Sequence, residues 1–170
     1  MGGFVRSDER AARGPTRGRA RGYFRLACPG FLPHGRGMDG AVDQQSYRDG
    51  FLTVADGLRL HYRDYPGSRE RLPILCLHGL TRNARDFAEF ATLFSPRFRV
   101  IALNFRGRGE SDFDPQPERY NPLTYAGDVQ PLLDQLGIAQ AIFVGTSLGG
   151  IVAMILASLA SNRLVGAILN

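Results

Sequence analysis

The chain has 170 residues, room for one domain with a real core and not for two large ones. Apolar residues make up 44 % of it without any run of membrane-spanning length, and its two cysteines, Cys28 and Cys76, sit in unlike surroundings, which excludes a disulfide scaffold. The net charge of +5 arises in residues 1–37, where eight arginines meet only Asp8 and Glu9; residues 38–170 set 13 arginines against 14 acids and offer no basic face for nucleic acid.

Residues 1–37 are Arg- and Gly-rich, with no sustained periodicity and few core candidates. They are expected to be a disordered extension, with Met38 a candidate true start. The rival readings are a nucleic-acid-contacting arm or a transit peptide, the latter with little Ser and only the broken apolar cluster Tyr23 to Leu32 to rest on. The absence of lysine anywhere points to a compositional origin for the arginines. The folded part is expected over 38–170. Cysteine usage fits a reduced, cytoplasmic compartment with no membrane partner, and no Cys/His cluster has metal-ligand spacing, so neither metal nor cofactor is expected.

Phe51 to Val54 and Leu58 to Tyr62 are β-prone runs joined by Asp56-Gly57, a hairpin signal. The second run alternates Leu58, Leu60 and Tyr62 with Arg59, His61 and Arg63. This predicts a half-buried strand at a sheet edge, with His61 solvated. Leu72 to Leu77 is a continuous apolar run, as in a strand covered on both faces, and His78-Gly79 ends it. Asn83 to Phe94 has helical spacing and closes at Ser95-Pro96. Arg99 to Leu103 reads as another buried strand, followed by Asn104 to Ser111 and an acidic loop, Asp112 to Asn121. Pro122 to Leu136 reads as a helix ending at Gly137, with Pro131 implying a kink or a late start. Ala141 to Val144 is a strand, Leu148 to about Ser161 a helix, and Leu164 to Leu169 a last strand. Strands alternating with helices predict an α/β fold: a mostly parallel sheet with an N-terminal β-hairpin and helices on both faces.

Ligands in such sheets bind beyond the carboxyl ends of the strands. Three marked turns fall there: His78-Gly79, Asn104 to Ser111, and Gly145-Thr146-Ser147-Leu148-Gly149. The last is a G-x-S-x-G pattern between β-type and helix-type residues, which places Ser147 on a tight corner as a candidate nucleophile. Gly145 and Gly149 would give its backbone room. Gly107-Arg-Gly109 could begin a dinucleotide fingerprint, but Asp112 stands where the third glycine belongs.

With Leu77-His-Gly-Leu80, the Arg-Gly-x-Gly-x-Ser run Arg106 to Ser111, and Gly145 to Gly150, the sequence resembles the N-terminal half of the α/β-hydrolase fold family, in its serine-nucleophile branch, over roughly Phe51 to Asn170. The resemblance implies that Ser147 attacks the acyl carbon of a small-molecule substrate, and that backbone N–H groups of Leu80 and Leu148 hold the oxyanion. It makes His78 a residue of the oxyanion loop and not the base, which in the family follows the nucleophile. Arg106 and Ser111 would hold loop shape. One departure is Asn104, where relatives with this run often carry Asp, which bears on loop hydrogen bonding. Relatives that open epoxides place Asp at the elbow, which Ser147 does not match. The family's acid and histidine lie beyond the region of resemblance, and no histidine follows Ser147 in this chain. The expectation is therefore an N-terminal fragment of an ester or lactone hydrolase, inactive as it stands. The alternative is a non-catalytic α/β-hydrolase-like binding protein or pseudogene product.

Overall fold

The computed structural model describes residues 47–170; the segment 1–37, with Cys28 and His34, lies outside them. Strand β1 (Arg48–Thr53) pairs antiparallel with β2 (Arg59–Tyr65) around the Asp56-Gly57 turn, with Leu52 opposite Leu60, as the hairpin signal predicts. The edge position expected of β2 is not what forms. Its other side pairs antiparallel with β4 (Val100–Leu103), Tyr62 opposite Leu103, so β2 is an interior strand. His61 is accordingly buried, not solvated, under the edge-on ring of its cross-strand neighbour Phe51 at 5.1 Å.

Strand β3 (Ile74–Leu77) lies parallel between β4 and β5 (Ala141–Gly145), and β6 (Leu164–Leu169) pairs parallel outside β5, giving the order β1-β2-β4-β3-β5-β6. Every residue of β3 and β4 is buried, because alternate side chains feed two cores. Leu75, Leu77, Ile101, Leu103 and Phe143 pack beneath α2 (Pro122–Gln135) and α3 (Leu148–Leu159), against Val129, Leu132, Val152 and Leu156. Ile74, Cys76, Val100, Ala102 and Val144 pack on the opposite face against Ala84, Phe87 and Ala91. Continuous apolar runs are what such double cover requires.

The segment expected as one helix from Asn83 is a 3-10 turn, Ala84–Phe87, followed by α1 (Ala88–Phe94). Asn83 caps the turn by accepting from the Arg85 N–H. Helix α2 begins at Pro122, with Asn121 Oδ1 accepting from the Thr124 N–H, and runs unbroken through Pro131. The late start is thus ruled out: the cap and the buried stripe Tyr125, Val129, Leu132 fix the helix on both sides of the proline. At its far end the Gly137 N–H donates to Asp134 O and the Ile138 N–H to Leu133 O, the paired bonds of a Schellman stop. Helix α3 ends at Leu159, two residues short of expectation, and a 3-10 turn leads into β6.

Candidate active site

Register brings the parallel strands to a common level: Leu77 lies opposite both Leu103 and Gly145, and Gly145 opposite Leu169. His78, Asn104, Thr146 and Asn170 therefore leave the sheet along one edge, where the sequence places its three marked turns.

At the elbow, Ser147 has φ 50° and ψ −112°, the sole positive φ outside glycine among the described residues. Its neighbours hold it there. The Thr146 N–H donates to Leu77 O (3.0 Å), the Ser147 N–H to Asn170 O (2.7 Å), and the Asn170 N–H to Gly145 O (3.0 Å). The corner is braced by the ends of β3 and β6 together. A side chain at Gly149 would overlap the Leu77 carbonyl, and a Cβ at Gly145 would sit 2.6 Å from the Gly149 carbonyl carbon, so both glycines are needed for close backbone approach. Ser147 is exposed at the N-terminus of α3. Among the described residues the Leu148 N–H, at the head of that helix, has no acceptor.

His78-Gly79 lies beside this corner: a Cβ built on Gly79 would be 3.7 Å from the Ser147 Cβ. His78 is buried. Its Nδ1–H donates to Gly79 O (2.7 Å) and its Nε2 accepts from the Phe105 N–H (3.1 Å). Both ring nitrogens are engaged, which fixes the neutral tautomer and leaves no lone pair for a substrate proton. Burial, with Arg108 nearby, holds the imidazole below its usual range against the raising effect of the Gly79 hydrogen bond. The Gly79 carbonyl also accepts from the Arg82 N–H (3.1 Å). Because a trans peptide points C=O and N–H in opposite directions, anchoring that carbonyl aims the Leu80 N–H away from His78. That N–H has no acceptor among the described residues, and the Leu80 carbonyl is pinned in turn by Arg108 Nε at 2.7 Å.

Behind these turns, Asn104 knits three segments. Its Oδ1 accepts from the Ala84 N–H (2.6 Å), its Nδ2 donates to His61 Nδ1 (2.8 Å), and its carbonyl accepts from Ser111 Oγ (2.7 Å). His61 Nε2 then donates to Asp49 (2.7 Å). Ser111 Oγ also accepts from the His61 N–H, so it closes the loop and does not face the elbow. Arg106, 2 % exposed, makes a fork-on-fork pair with Asp128 (2.9 and 2.6 Å) and also reaches Asp114 (2.6 Å) and Asp56 (2.8 Å). Burial acts to lower its pKa, but the three carboxylates raise it well above the ordinary guanidinium range. Asp128 is pushed up by burial despite that partner; Asp56, less shielded, is held down by Arg106. Sequence reading assigns Arg106 and Ser111 to loop shape but misses His61, Asp128 and Asp56. A signal existed for Asp128, which stands on the apolar stripe Tyr125-Val129-Leu132 where a carboxylate requires a partner.

A cavity of about 800 Å³ lined by Arg48, Asp64, Arg71, Arg99 and Gln140 opens at the amino ends of the parallel strands, the end of the sheet opposite the elbow. Among the described residues, no group of three or more His, Cys, Asp or Glu could hold a metal, and no helix is long and apolar enough to cross a membrane.

The sequence model of the alpha/beta hydrolase fold family matches residues 73–170. A 3-hydroxybutyrate-oligomer hydrolase of Cupriavidus necator is 30 % identical over 128 residues, covering 74 % of this chain and 44 % of its own length. Epoxide hydrolase 4 of Mus musculus is 34 % identical over 108 residues, covering 63 % of this chain and 30 % of its own. A crystal structure of an alpha/beta hydrolase from Novosphingobium aromaticivorans superposes with a TM-score of 0.70 at 48 % identity, covering 73 % of this chain and 44 % of that one. The chain thus spans less than half the length of these relatives.

Proposed function

The chain belongs to the alpha/beta hydrolase fold family, and from that membership we propose that it carries the nucleophile and oxyanion hole of a serine hydrolase acting on a small-molecule ester, lactone or similar acyl bond. The observation that carries this reading is the strained, exposed Ser147 at the head of α3, with Gly79 packed beside it. Ser147 Oγ would attack the carbonyl carbon. The tetrahedral oxyanion would be held by the Leu148 and Leu80 N–H groups, the alcohol would leave, and water would release the acid from the acyl-enzyme. An epoxide-opening reading asks for a carboxylate nucleophile, and position 147 supplies a hydroxyl.

The attack needs a base to take the Oγ proton. His78 has no free nitrogen and no histidine follows Ser147 in these 170 residues. By itself the chain would lack turnover comparable to an intact serine hydrolase, keeping at most the roughly 10³–10⁴-fold over water that an oxyanion hole and binding give without a full triad. The same observation favours a second reading, a non-catalytic binding protein on this scaffold. The buried free thiol of Cys76 fits a reducing, cytoplasmic compartment.

Chemical rescue tests the proposal. Free imidazole supplies the missing base, so p-nitrophenyl butyrate hydrolysis in imidazole should gain a protein-dependent component that Ser147→Ala abolishes. Equal rates from the two proteins would overturn the nucleophile assignment and leave the binding reading.

A further inference from the structure

We propose that the cavity at the amino ends of the parallel strands is a binding site for a small, multiply charged anion bearing phosphate or carboxylate groups. This site is independent of the chemistry assigned to Ser147, at the other end of the sheet.

The cavity, of about 800 Å³, has the size of a small-ligand site, and β6 contributes nothing to its walls. Four arginines line it, Arg48, Arg69, Arg71 and Arg99, against the carboxylates of Asp64 and Glu70. Arg99 and Asp64 neutralise each other, Nε and Nη2 donating to the two carboxylate oxygens at 3.0 and 2.8 Å. That leaves three cations against one anion on the wall. Arg48, Arg69 and Arg71 form no ion pair among the described residues, and all three are exposed.

The backbone behind these side chains is fixed. Pro66 and Pro73 set φ at the two ends of the loop that carries Arg69 and Arg71. A Cβ on Gly67 would overlap the Phe98 carbonyl, so the loop is seated hard against the turn before β4. The Glu70 N–H donates to Ser68 Oγ (3.3 Å), and Pro73 O accepts from the Ile142 N–H (2.9 Å). The Arg71 guanidinium lies over the Phe98 ring, 5.4 Å from its centroid. Opposite stands the stop of α2, a helix end that would repel an anion if its carbonyls were free. They are not: Leu132, Leu133 and Asp134 O accept from the Leu136, Ile138 and Gly137 N–H groups.

Charge and shape define the occupant. A guanidinium offers paired N–H donors that match the oxygens of a phosphate or a carboxylate. Three unneutralised guanidinium groups around one concavity favour a ligand with more than one negative charge; a singly charged ion would leave most of that charge unmatched. A nucleic acid would need a continuous basic track, and residues 38–170 carry 13 arginines against 14 acids.

The test titrates the full 170-residue chain with inorganic pyrophosphate and, separately, with citrate, by isothermal calorimetry. The expected result is saturable 1:1 binding of at least one probe that weakens as salt rises and lifts the thermal midpoint. The tighter probe identifies phosphate or carboxylate as the preferred group. Arg69→Gln with Arg71→Gln should weaken binding roughly tenfold or more, and Arg48→Gln, reaching the same cavity from β1, should weaken it independently. Arg85→Gln with Arg97→Gln, which removes equal charge outside the cavity, should not. Binding of neither probe would overturn the proposal, as would equal weakening by the control pair. Binding that the cavity substitutions leave unchanged would also overturn it and assign the anion to the eight arginines of residues 1–37. Ester hydrolysis, found or not, bears on Ser147 alone.

Discussion

At position 147 the backbone is held in a conformation that costs on the order of 1–3 kcal/mol for a residue with a side chain. Ser147→Gly should therefore raise the unfolding free energy by about 1 kcal/mol after the greater entropy glycine loses on folding, and with it the denaturation midpoint, while removing any acylation. A midpoint that falls would mean the corner is relaxed with serine in place. His78 leads to a pH prediction. Its folded-state pKa is lowered, chiefly by burial, so between the two values the unfolded chain binds more protons than the folded one. The stability it contributes is full above the unfolded value of about 6.5 and is lost as the pH falls below that, when protonation also strips Nε2 of the Phe105 N–H. Urea midpoints measured from pH 8 to pH 5 should decline below about 6.5, and His78→Asn should flatten that part of the slope. An unchanged slope would assign the acid sensitivity to other groups.

Among the elements, the loop after β4 is held less by its glycines than by one guanidinium serving three carboxylates from the hairpin turn, the loop itself and α2. Deleting a single partner of such a group strands a buried charge, whereas replacing both ends of the pair by apolar residues need not. Arg106→Leu should thus cost about 3–5 kcal/mol, and Arg106→Leu with Asp128→Leu should recover part of that loss. A double variant as unstable as the sum of the singles would mean the pair contributes little beyond each side chain's own packing. The network also explains why α2 starts where it does. Its first turns are pinned from outside by Asp128 as well as from within by the Asn121 cap, and Pro131 falls beyond both.

Across the whole molecule, what the sequence made legible was whatever local pattern decides. The buried strands are continuous apolar runs, the elbow is a Gly-Ser-Gly spacing, and the hairpin is an Asp-Gly turn. What stayed hidden was decided by distant pairing. The alternation of Arg59, His61 and Arg63 with Leu58, Leu60 and Tyr62 is the same for an edge strand and an interior one. Only β4 on its far side, Phe51 above and Asn104 beneath put His61 inside. Arg106 likewise meets Asp56 and Asp128 from remote segments. The outer side of β6 belongs to this scale too, since no strand pairs with it among the described residues: an unpaired apolar edge is expected to self-associate as concentration rises, and Val165→Arg, at a residue 51 % exposed, should reduce that association in sedimentation, an unchanged profile counting against the edge as its source. The bond from the Ser147 N–H to the Asn170 carbonyl joins the two ends of a helix and the strand after it. Closing that span has an entropic cost that must be met before the bond can repay any of it. Whatever loosens the pairing of β6 with β5 therefore also releases two of the bonds that brace the Ser147 corner, leaving the Thr146 N–H on Leu77 O as its tie to β3.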